Sequence, residues 1–157
     1  MRSERSDQLN EAIQLCTIHS ERMRFAWGKV KGNFPLTVEK YNSLQPEALS
    51  FFDQLIFRFS KLQDSMGNKL FPSLLESLGE ETRGIPFIDL LTKMEELELL
   101  KNANDWLALR ETRNIVTHEY PFKPQEVIDG LNLLSKHQKL ILNILQLLFD
   151  KIEKRFK

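Results

Sequence analysis

The stretch Arg110-Glu111-Thr112-Arg113-Asn114-Ile115-Val116-Thr117-His118-Glu119-Tyr120-Pro121 gathers side chains suited to chemistry within one short segment. Histidine is the side chain that exchanges a proton near neutral pH. Arginine carries a permanent charge on a planar donor fork, and a neighbouring asparagine can orient either one. On a helix turning about 100° per residue, Ala108, Leu109, Thr112, Ile115 and Val116 share one core-facing arc, and Arg113, Asn114, Thr117, His118 and Tyr120 lie outside it. The polar set is therefore expected to face away from the core. Trp106 and Leu107 fall on that same outward side, and a large aromatic there suggests a partner surface. A homodimer with the polar cluster at or beside its interface would provide one. Asn114 and His118 are one i, i+4 step apart, whereas Arg113 and Tyr120 align only if the last turn before Pro121 stays helical. By spacing alone, the simplest account is a surface histidine near a helix C-terminus, where the helix dipole favours it, among ordinary surface residues.

The elements that must position this segment are helical. Six glycines and six prolines fall between periodic stretches, so long helices joined by short connectors are expected. A first helix over 6–30 places Leu9, Ile13, Cys16, Met23, Trp27 and Val30 on one stripe. A second starts at Pro46 and carries Leu49, Phe52, Ile56, Phe59, Gln63 and Met66, with Gly67 and Pro72 marking its end or a kink. Phe51, Leu55 and Leu62 lie off that stripe, so this helix is expected to contact neighbours on two sides. A short helical piece over 71–78 and an acidic third helix over 86–100 follow. The fourth, capped by Asn102 or Asn104 with Asp105 in its first turn, runs to about 120 and carries the polar cluster. The last runs over 124–155 with an apolar band wider than one seam. The expected architecture is an all-α, antiparallel bundle of four to five helices in a single domain spanning 1–157.

Composition narrows the function. The 157 residues hold 22 Lys and Arg against 22 Asp and Glu, which argues against bulk electrostatic coating of nucleic acid and leaves room for a local basic site. Cys16 is the lone cysteine, so no internal disulfide forms, and no Cys and His cluster has metal-ligand spacing. No metal and no cofactor is expected. The charged N-terminus lacks an apolar run behind it, and the apolar stretch over 140–149 is too short to span a bilayer, so a cytoplasmic protein without membrane contact is expected. Other candidates have plainer readings. His19 is expected half-buried and structural, His137 solvent-exposed among lysines, and Cys16 in the core. Asp53 and Arg58 are either a supporting polar shell or exposed helical charges.

The segment Arg113-Asn114-Ile115-Val116-Thr117-His118-Glu119-Tyr120 reads R-N-x-x-x-H-x-Y, which resembles the signature of the HEPN superfamily, specifically the HepT toxins of HepT–MNT toxin–antitoxin modules. Its setting fits, at the end of the penultimate helix of a small helical chain, before a proline turn and a long final helix. The resemblance implies a HEPN-like bundle whose two protomers join their motifs in a cleft that cleaves RNA without a metal. In that scheme Arg113 and His118 are catalytic. Asn114 orients His118 or a phosphate oxygen, and Arg110 adds positive charge nearby. Tyr120 corresponds to the tyrosine that a cognate MNT-type nucleotidyltransferase antitoxin modifies with AMP, placing charge and bulk where the RNA phosphate must bind. Two alternatives stand beside this one: a non-catalytic HEPN substrate-binding partner of a nucleotidyltransferase, and a helical adaptor that docks through Trp106.

Overall fold

A computed structural model describes residues 5–118 and 123–156. Helix α1, Asp7–Val30, opens on Ser6, whose hydroxyl accepts from the Leu9 amide at 3.1 Å, with Asp7 in its first turn. A 3-10 turn, Lys31–Asn33, leads into α2, Val38–Asn42, capped by Thr37. The sequence reading did not anticipate α2, which is one short turn. The loop before it is tied to the last helix by two bonds, Leu36 N–H to Asn132 Oδ1 at 2.7 Å and Asn132 Nδ2 to the Leu36 carbonyl at 2.9 Å.

Helix α3, Pro46–Ser65, does not end at Gly67. A π turn, Met66–Leu70, carries it directly into α4, Phe71–Ser77. Proline cannot donate a hydrogen bond, so Pro72 is placed in the first turn of the new helix while the Phe71 amide reaches back to the Met66 carbonyl. Gly79, at φ +85°, then stops α4 as the amides of Gly79 and Glu80 bond the carbonyls of Glu76 and Leu75.

Helix α5, Phe87–Glu96, is shorter than expected. It ends in the same two-bond cap, but the left-handed position is filled by Glu98 at φ 60°, and Leu99 and Leu100 turn into the core. Helix α6, Ala103–Thr117, is capped by Asn102, which accepts from the Asn104 amide at 2.8 Å. Helix α7, Pro124–Arg155, spans the molecule and buries the broad apolar band from Ile128 to Ile152.

The long helices pair in antiparallel fashion. His19 meets Arg58 and Phe25 meets Phe51 between α1 and α3; Asp64 meets Arg113 between α3 and α6; Thr112 meets His137 between α6 and α7. Arg5, before α1, pairs with Glu153 near the end of α7 at 2.7 Å. The described residues therefore form an all-α bundle, with α3 flanked by α1 on one side and α6 on the other. Cys16 is fully buried in its core, where burial pushes the thiol up to about 12.

Candidate functional site around the end of α6

Helix α6 is wedged between two neighbours. Trp106 and Leu109 are fully buried, and the Trp106 ring packs on Phe71 at 4.6 Å between centroids. The expected outward position of Trp106 is thus overturned, and with it the reason this residue gave for a partner surface on this face, adaptor and homodimer alike. Leu107, by contrast, is 37% exposed. The tryptophan is accommodated because Gly67, in the π turn, has no side chain. A β-carbon there would lie 3.2 Å from the indole and 3.6 Å from the Phe87 ring.

Arg113 lies on the edge of α6 that faces α3. Its Nη2 donates to Asp64 Oδ2 at 3.0 Å, with both side chains about one-third exposed, and its Nε is buried without a hydrogen-bond partner. The pair is wet enough that the carboxylate can be exchanged for another anion at modest cost. One turn earlier, the Arg110 guanidinium lies 5.2 Å over the Phe87 ring. Gln63, Asp64, Gly67, Asn68, Phe87 and Arg110 line an open cleft of about 260 Å³ beside the π turn. Short π segments inside α-helices are frequent at functional sites.

Asn114 is exposed on the last turn of α6. His118 is exposed too, but the helix stops at Thr117 and His118 takes an extended backbone, φ −83° and ψ 142°, so it is not one helical turn above Asn114 as the spacing predicts. Its amide bonds the Ile115 carbonyl at 3.3 Å. Tyr120 lies outside the described residues, so its alignment with Arg113 does too.

Asp64 is the partner that sequence reasoning missed. The sequence offers Asp53 and Arg58 as the α3 charges for a supporting shell, and neither reaches α6. Asp53 is exposed, and Arg58 instead donates to His19 Nδ1 at 3.0 Å. Asp64 follows Asp53 by about three helical turns on the same ridge, and no local pattern links it to position 113. His137 also departs from expectation. It is half-buried, with Nδ1 2.7 Å from the fully buried Thr112 hydroxyl. Burial lowers its proton affinity foremost, with Lys136 adding to the effect and Asp105 opposing it. His19 is half-buried as expected. Its proton affinity is lowered first by burial and then by Arg58, Lys61, Arg22 and Lys69.

Among the described residues, no group of three His, Cys, Asp or Glu side chains is arranged to hold a metal ion, and no helix is long and apolar enough to cross a membrane. No protein-family model matches the chain, and no curated protein or solved structure matches it.

Proposed function

We propose that this chain is a HepT-like endoribonuclease that acts as a homodimer without a metal. What carries the reading is the placement of the motif: Arg113 sits half-exposed on a replaceable carboxylate at the edge of α6, and His118 stands exposed where that helix ends. In the proposed reaction His118 takes the proton of a ribose 2′-hydroxyl, and the 2′-oxygen attacks the adjacent phosphorus. The bond from phosphorus to the 5′-oxygen breaks, and an imidazolium returns a proton to that leaving oxygen. Arg113 leaves Asp64 for the phosphate and stabilises the charge that builds on its oxygens. The products are a 2′,3′-cyclic phosphate and a 5′-hydroxyl. A second copy doubles the set of Arg113, Arg110 and His118, so a locally basic cleft can form on a chain with no net charge. An MNT-type nucleotidyltransferase would silence it by adding AMP to Tyr120.

The test is expression of the chain alone and with a neighbouring nucleotidyltransferase. Growth should slow with the chain alone, and Arg113→Ala or His118→Ala should restore it with the fold intact by circular dichroism. Purified protein should leave cyclic phosphate ends on RNA. Co-expression should add AMP to Tyr120, read by mass spectrometry, and Tyr120→Phe should escape neutralisation. A soluble dimer that neither slows growth nor cuts RNA would sink the ribonuclease and leave the binding-partner reading in its place.

A further inference from the structure

Away from the α6 site, α1 and α3 present a surface whose composition is unusual for a solvated face. Phe25 is 55% exposed, Phe57 50% and Ile18 43%. Each exposed phenylalanine is accompanied by cations. Lys29 lies 5.3 Å from the Phe25 ring and 5.8 Å from Phe51, while Arg58 and Lys61 lie 5.1 and 5.6 Å from the Phe57 ring. Phe25 and Phe51 meet edge to face at 6.0 Å, and Phe57 follows Phe51 by about 9 Å along the α3 axis and about 120° round it.

The charge around His19 is one-sided. The charged groups that act on His19, between the two helices, are Arg58, Lys61, Arg22 and Lys69, all cationic. Among the described residues, none of Arg22, Lys29, Arg58, Lys61 and Lys69 is in an ion pair with a carboxylate. The carboxylates on the outer ridge of α3 act elsewhere, Asp53 on Tyr41 and Asp64 on Arg113. A second copy of the chain docked here by two-fold symmetry would set this cationic strip against itself. The complementary ligand is a polyanion with flat π-faces, in which phosphates meet the lysines and arginines and unpaired bases lie on the phenylalanines. The ridge Phe57, Lys61, Asp64 advances by four- and three-residue steps along α3 and reaches the carboxylate that holds Arg113, with Asn68 following in the π turn.

We infer that the α1–α3 face is a binding track for single-stranded RNA, in which Phe25 and Phe57 stack bases and Lys29, Arg58 and Lys61 hold phosphates. The preference for RNA over DNA rests on the ribonuclease reading, because the track leads to Arg113, which in that reading serves cleavage by a ribose 2′-oxygen. Binding at the face itself does not depend on cleavage.

A labelled 2′-O-methyl oligouridylate, which lacks the nucleophile and so stays intact, separates binding from cleavage when its affinity is measured by fluorescence anisotropy. The expected result is binding that weakens steeply with salt, and weakening by about fivefold to 150-fold for Phe57→Ala or Phe25→Ala. Lys29→Ala with Lys61→Ala should flatten the salt slope by about 0.7 for each phosphate contact removed. All four side chains are on the surface, and circular dichroism should show the wild-type fold. The proposal is overturned if the strand does not bind at low salt, or if its affinity is unchanged in these variants. A DNA strand of equal length that binds more tightly overturns it too, as does self-association that Phe57→Ala relieves. A chain that binds through these phenylalanines and never cuts RNA overturns the ribonuclease reading alone.

Discussion

Trp106 and Arg113 show what a residue type does and does not disclose. A helical wheel places Trp106 correctly relative to Arg113, yet the tryptophan is fully buried and the arginine only half-exposed, because α6 packs against α3 as well as α7. The second neighbour widens the buried arc to include Trp106 and leaves Arg113 on its rim. These two contacts have very different energetic weight. Trp106→Ala should cost about 3–5 kcal/mol, since it empties a fully buried site against Phe71 and Gly67. Asp64→Ala should cost less than about 1 kcal/mol, since it removes one partner of a solvent-screened pair. Urea titrations of both variants check the contrast; a larger loss from Asp64→Ala would mean that the ion pair is structural.

At the scale of elements, the helix ends carry most of the departures from expectation. Gly79 and Glu98 occupy equivalent left-handed positions after α4 and α5, with the same pair of backbone bonds. A Cβ in that conformation costs roughly 1 kcal/mol, so Glu98→Gly should raise stability by up to about that amount. Close helix approach gives the opposite expectation at Gly130. A β-carbon there would lie 2.9 Å from Cγ2 of Ile115, a branched side chain with little freedom in a helix. Relief of glycine's helix penalty, about 1 kcal/mol, is outweighed by overpacking of about 1–3 kcal/mol, so Gly130→Ala should destabilise the α6–α7 contact. Gly28, with open space around it in α1, is the control that alanine should stabilise. Thermal melts of the three variants read all three signs. The glycines themselves were visible in the chain. Which of them bore a positive φ, which faced a neighbour and which faced water were not, because those properties arise only once another element or a turn is in place.

Among the described residues, two half-buried histidines, His19 and His137, make the folded molecule sensitive to acid. His19 and His137 both have lowered proton affinity when folded, first through burial in each case. The unfolded chain therefore takes up these protons at a higher pH than the folded one. Stability from both groups is complete above the ordinary histidine value of 6.5 and is lost as pH falls from there toward the folded values. The urea midpoint should fall between pH 7 and pH 5, above the range of ordinary carboxylates, and His19→Gln with His137→Gln should flatten that slope. A wild-type midpoint flat across this range would contradict it.

Read alone, the sequence determined the helical class, the extents of α1 and α7 and the two-sided packing of α3, because side-chain periodicity and caps are local signals. It also singled out Arg113, Asn114, His118 and Tyr120 as a motif. Only the tertiary structure decided that Arg113 rests on Asp64, that Trp106 is core, that His137 bonds Thr112 and that a cationic aromatic face spans α1 and α3. Each of these joins residues far apart in the chain, and such meetings follow from how helices pack in space, which no spacing along one helix encodes.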